Sequence, residues 1–208
     1  MLDAKIKKLK QNLFYSVVEI TDKIEVDLVD FPELERIRHQ ARQRESYAVR
    51  LALKALISKL GLPFLGLNYN ERRKPFLKGS NAGISLTHGH GLAIAVWLEG
   101  AAVGADFEKI SPKLLRVAKR FCNEEELAYC GEDLDKLAVL WTVKEAVYKW
   151  YGLGGVDFQQ HIHVPPFELV ATGGDLLAEL NYKSFSIPLQ VHYMPIGEGM
   201  FSICYQQK

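Results

Sequence analysis

Apolar and polar positions change period several times along the chain, and each change marks an element. Leu13 to Ile20 predicts a strand, and the segment from about Phe31 to Leu60 predicts a basic helix in one or two pieces. "GLPFLGLNYNERRKPFL" is a connector punctuated by Gly and Pro with room for a short strand. "AGISLTHGHGLAIAVWLEGAAVGADFEKI" then reads as consecutive strands. Leu92 to Leu98 is apolar throughout, Glu99-Gly100 supplies a tight turn, and Ala101 to Glu108 returns. A second helical block runs from Pro112 to Tyr151 with breaks near Asn123 and Gly131. The tail predicts strands near Phe167 to Ala171, Leu189 to Met194 and Met200 to Tyr205, the last two separated by "PIGEG". The expected architecture is α+β: two similar lobes, residues 1–100 and 101–208, each an antiparallel sheet of about three strands packed on a long helix, with a site between them.

The stretch "WTVKEAVYKW" raises a question that its periodicity cannot settle. With residues about 100° apart around a helix, Leu140, Val143, Ala146, Val147, Tyr148 and Trp150 cover more than half the circumference. Thr142, Glu145 and Lys149 are left on one narrow polar strip. The helix is expected to be nearly buried, with that strip facing a partner or a cleft. Glu145 and Lys149 are four apart, so a plain intrahelical ion pair is the simpler reading.

Composition narrows the classes. The 208 residues are 48% hydrophobic and 25% charged with a formal net charge of +1, which suits a globular protein and gives no bulk electrostatic capture of nucleic acid. Cys122, Cys130 and Cys204 lack any metal-binding spacing and read as reduced thiols. No leader and no membrane span is visible, so a cytoplasmic protein is expected.

Candidate chemistry gathers on "VGADFEK". A strand period of two puts Val103, Ala105 and Phe107 on one face and Asp106 and Glu108 on the other, roughly 6.5–7 Å apart. Neighbouring carboxylates raise each other's pKa, so a cation belongs beside them. It is either a Lys or Arg at a solvated strand face, or a hard metal ion held together with Glu145. Arg36, Arg38, Arg42, Arg44 and Arg50 on the first helix, Arg72, Arg73 and Lys74 before Pro75, and His88 at a strand end supply cations suited to a polyphosphate. The ordinary nucleotide loops are missing.

In this order and spacing, "VGADFEK" and "WTVKEAVYKWYGLG" resemble the paired signature of the 4′-phosphopantetheinyl transferases. "RRKPFL", "ISLTHGHGLAIAV", "RQRESYAVRLALKALI" and "RFCNEEEL" resemble further segments of the family, so the likeness runs from about Arg42 to Gly154. The chain departs from the pattern at Ala105, where Ile or Val is usual. Thr87 replaces Ser before His88, and Arg73 stands where Gly often precedes Lys74.

The resemblance implies the two-lobed monomeric type, which moves 4′-phosphopantetheine from coenzyme A to a serine of an apo acyl or peptidyl carrier protein and releases 3′,5′-ADP. It implies Mg²⁺ (or Mn²⁺) on Asp106, Glu108 and Glu145, and Lys149 on a phosphate oxygen. The proton acceptor is Glu145, with Glu126 as the alternative. His88, Thr87 and Lys74, assisted by Arg42 or Arg44, are expected to bind coenzyme A from the N-terminal lobe. No nucleic acid or membrane partner is expected. The rival readings are an Mg²⁺-dependent phosphodiesterase acting on coenzyme A or nucleotides, and an inactive module that binds carrier protein or coenzyme A.

Overall fold

A computed structural model describes residues 3–206, and the chain divides into two compact units, Met1–Ala102 and Val103–Lys208. In the first unit, β1 (Lys5–Lys10), β2 (Leu13–Glu19), β5 (Gly83–Gly89) and β6 (Leu92–Leu98) form an antiparallel sheet in the order β1-β2-β6-β5. A 3-10 turn, Pro32–Arg36, precedes the 20-residue helix α1 (Gln40–Lys59), which lies across this sheet. Val18, Ile84, Ala93, Ala95 and Trp97 meet Ala48, Ala52, Leu53 and Leu56 in the core between them. Ser16 is buried there and donates to the Ala52 carbonyl at 2.7 Å, so its hydroxyl is satisfied within the apolar layer. A small hairpin, β3 (Leu67–Tyr69) with β4 (Pro75–Leu77), fills the connector.

The second unit holds β7 (Val103–Lys109), α2 (Lys113–Val117), a 3-10 turn, α3 (Glu124–Cys130), α4 (Leu134–Tyr151), α5 (Phe158–His161) and strands β8 (Ile162–His163), β9 (Gly174–Tyr182), β10 (Phe185–Ile196) and β11 (Gly199–Tyr205). The sheet order is β7-β11-β10-β9-β8, all antiparallel. The final strand is thus inserted beside the first, and α4 runs across both. Helix α4 starts at Asp133, whose carboxylate accepts from the backbone of Asp135 and Lys136, and stops at Gly152 in a left-handed turn. Its Leu137, Ala138, Val139, Leu140, Val143, Ala146 and Val147 are all fully buried, but Tyr148, expected on the same apolar face, is exposed.

Both units are a helix on an antiparallel sheet, in line with the expected α+β class, but the sheets have four and five strands rather than about three. Lys5, Lys7, Lys8 and Lys10 hide the extra strand in the first unit, because β1 is an edge strand and lysines there discourage pairing with other chains. The strand expected near Phe167 to Ala171 is irregular, and the chain pairs instead through β9. Ala178 and Leu180 of β9 face inward, but the exposed Leu177 before them breaks the apolar–polar alternation that would have marked the strand in the sequence.

Candidate active site

Strand β7 is buried along most of its length, and one glycine explains how it meets α4. A Cβ placed on Gly104 would come within 1.9 Å of the Ala146 carbonyl oxygen and 2.5 Å of the Trp150 backbone nitrogen. Helix and strand therefore touch backbone to backbone, which only glycine permits. Asp106 is two residues further along the same face, beside that contact. On the neighbouring strand Ser202 is the cross-strand partner of Asp106, and its hydroxyl lies 2.7 Å from that of Thr142. Thr142 is fully buried and also donates back to the Ala138 carbonyl, so it is satisfied internally. The polar strip of α4 reduces to Glu145 and Lys149.

Lys149 does not settle for its helical neighbour. Its ammonium reaches Asp106 Oδ1 at 2.6 Å, with its side chain 30% exposed against 11% for the aspartate. Glu145 sits within the field of both β7 carboxylates. Its carboxyl is pushed up to about 7, first by burial and then by the negative charge of Asp106; Lys149 pulls it down and Glu108 adds to the rise. Asp106, Glu108, Glu145 and Lys149 thus form one electrostatic cluster within the second unit. Its donors are hard carboxylate oxygens with no thiol or imidazole among them, a chemistry that fits Mg²⁺ or Mn²⁺. As the side chains stand, no group of three or more His, Cys, Asp or Glu among the described residues is gathered tightly enough to hold an ion, and the ammonium of Lys149 takes up one face of Asp106.

Glu126 has a different place from the one expected of a proton acceptor. It is fully buried, and its Oε2 accepts from the Lys144 ammonium at 2.6 Å and from the Asn123 backbone at 2.9 Å. Its Oε1 accepts from Val164 N at 3.2 Å. With no exposure and these three donors upon it, the carboxylate cannot approach a substrate hydroxyl, which corrects the alternative assignment of the base. The signal was legible: Asn123-x-x-Glu126 is a capping box at the start of α3, in which the glutamate turns back to its own helix end. The side chain of Lys144 is likewise wholly buried, with burial pulling its pKa down and Glu126 opposing the shift. Cys122 and Cys130 are buried free thiols pushed up to about 12 by desolvation, which leaves them unreactive.

In the first unit the expected ligands are more dispersed. His88 is half-buried on β5, on the face that meets α1, with its Nδ1 3.5 Å from Glu45 Oε2. Thr87, which precedes it in the strand, points to the opposite face and is buried. Lys74 is half-buried in the β3–β4 turn, where its N–H donates to the Asn70 side chain at 2.8 Å. Arg44 pairs with the fully exposed Asp22, and Arg42 is exposed in the first turn of α1.

Residues 102–187 match the family described as the 4′-phosphopantetheinyl transferase superfamily, and residues 35–97 match the 4′-phosphopantetheinyl transferase N-terminal domain. The chain belongs to the 4′-phosphopantetheinyl transferase superfamily. No curated protein matches it. The superfamily match contains Asp106, Glu108, Glu126, Glu145 and Lys149, while the N-terminal-domain match contains Arg42, Arg44, Lys74, Thr87 and His88. Phosphopantetheinyl transferases take coenzyme A as substrate and act on carrier proteins. Among the described residues of this transferase no helix is long and apolar enough to cross a membrane.

Proposed function

We propose that the protein transfers 4′-phosphopantetheine from coenzyme A to a serine hydroxyl of an apo acyl or peptidyl carrier protein, with a divalent cation, Mg²⁺ or Mn²⁺, held by Asp106, Glu108 and Glu145. The observation that carries the reading is the cluster of three carboxylates and Lys149 on β7 and α4, inside the region that matches the transferases. Mg²⁺ supplies a Lewis acid against the pyrophosphate oxygens when bound.

The chain's own groups take the remaining tasks. The ammonium of Lys149, within reach of Asp106 yet partly exposed, binds and orients an oxygen of the transferred phosphate. The serine oxygen attacks the phosphorus that bears the pantetheine arm, the bond from that phosphorus to the bridging oxygen breaks, and its electron pair leaves with 3′,5′-ADP. The serine proton passes to Glu145, the carboxylate of the cluster that α4 supplies. His88 and Lys74, with Arg42, bind the 3′-phosphate; Arg44 can join them because its partner Asp22 lies in full solvent, where an ion pair is worth about 0–1 kcal/mol. One chain carries both matched regions, and we read it as acting in the cytoplasm as a monomer.

The test is incubation of the protein with coenzyme A, Mg²⁺ and a panel of apo carrier proteins, followed by intact mass of the carriers. One carrier should gain a phosphopantetheine, and chelator should abolish the gain. Hydrolysis of coenzyme A with every carrier unchanged, or transfer that persists in chelator, would sink the reading.

A further inference from the structure

The least expected feature of the second unit is an ion pair with no access to solvent. The Lys144 ammonium spends its three protons on Glu126 Oε2 at 2.6 Å and on the carbonyls of Phe158 and Ile162, each at 2.8 Å. Glu126 in turn collects the backbone N–H groups of Asn123 and Val164. Four segments are tied at one point: the start of α3, the middle of α4, α5, and the chain leaving β8. Stability alone is a poor reason for such a node. A buried pair costs several kcal/mol per ion to desolvate, and apolar side chains of similar volume often serve as well or better (on the order of 1–4 kcal/mol). What a buried pair does supply is direction, since its hydrogen bonds are satisfied at one geometry only.

Direction is what this helix needs. Lys144 immediately precedes Glu145, and their side chains leave the helix about 100° apart. On the side of β7, α4 approaches the strand backbone to backbone at Gly104, a residue with no side chain to interlock with the helix. A roll of α4 would carry Glu145 and Lys149 away from Asp106; its buried apolar side chains resist that roll without direction, whereas the Thr142–Ser202 hydrogen bond and the Lys144 ammonium each hold the helix at one angle.

We infer that the buried Lys144–Glu126 pair is a positioning device that sets the rotation of α4 and thereby aims Glu145 and Lys149 at the carboxylates of β7. The inference rests on the proposed function for its chemistry, and it makes Lys144 and Glu126 positioning residues that touch neither substrate nor cation. Groups that orient the ligands of a cation in this way typically change its affinity, or the activity, by about 10–100-fold when replaced.

The test compares wild type with the double variant Lys144→Met/Glu126→Gln, which removes both charges at nearly constant volume and keeps an N3 side chain able to cap α3. Near-UV circular dichroism and the unfolding midpoint should show the native fold. Mn²⁺ titrated into the metal-free proteins and followed by electron paramagnetic resonance should bind the variant about 10–100-fold more weakly. In steady state, kcat should fall while KM for coenzyme A holds. A folded variant with wild-type Mn²⁺ affinity and kcat would overturn the inference. A double variant that fails to fold would overturn it as well, because the pair would then hold the fold and not merely the direction of α4. Wild type that binds Mn²⁺ but transfers nothing would end the proposed function while the Mn²⁺ comparison still decides the role of the pair. Wild type that binds no Mn²⁺ would overturn both.

Discussion

Replacing Gly104 by alanine should damage stability and activity together, and the size of both effects follows from one distance. The added Cβ would lie 1.9 Å from the Ala146 carbonyl oxygen, with the Trp150 nitrogen at 2.5 Å and the Trp150 Cβ at 2.9 Å. Restoring an ordinary non-bonded separation of about 3.4 Å requires α4 to back away from β7 by about 1.5 Å. The obstacle is helix backbone, which cannot swing aside as a side-chain tip would. Overpacking of this kind costs about 1–3 kcal/mol, and a rigid obstacle puts the site at the upper end. For a domain pair of this size that amounts to a fall in Tm of roughly 6–12 °C. The same retreat separates Lys149 from Asp106, now in contact at 2.6 Å. A misplacement of about 1 Å in a reacting constellation can cost on the order of 10²-fold in rate. Thermal unfolding followed by tryptophan fluorescence and kcat/KM for carrier modification give the two readouts. A variant within about 0.5 kcal/mol of wild type, the size of an ordinary surface change, and with unchanged kcat/KM would refute the backbone contact as the feature that sets α4 against β7.

Two further outcomes follow from single residues. Glu145 is a carboxyl whose folded pKa, about 7, lies above its ordinary value of 4.5, so the charged form is disfavoured in the folded protein and stability is lost as pH rises from the lower value through the upper. Glu145→Gln in chelator should therefore raise Tm at pH 8, by the equivalent of at most about 3 kcal/mol, and leave it unchanged near pH 4; an equal effect at both pH values would show that burial of the charge is not the cause. Arg73 adopts a φ of +64° in the β3–β4 turn. Arg73→Gly should relieve roughly 1–2 kcal/mol of left-handed strain and return about half of it through the greater freedom of the unfolded chain, for a net rise in Tm of a few degrees by calorimetry; a fall in Tm would contradict it.

Much of the second unit and of the placement of its candidate site was legible in the sequence, because it depends on local periodicity. The period of two in "VGADFEK" placed Asp106 and Glu108 together, and the wide apolar face of "WTVKEAVYKW" marked α4 as buried with Glu145 and Lys149 exposed to something polar. The capping box at Asn123 was equally readable and would have removed Glu126 from the chemistry. Alternation in β5 likewise places Thr87 and His88 on opposite faces. What the sequence could not supply were relations between distant segments. Whether Lys149 answers Glu145 four residues away or Asp106 across the sheet turns on how closely α4 approaches β7, and that distance is set by Gly104, a residue with no side chain to announce it. Lys144 carries a charge on the apolar side of α4. Only the folding of α3, α5 and β8 around it supplied the carboxylate and two carbonyls that let it stay buried, since the cost of burying a charge depends on partners that are 14 and 18 residues away in the chain.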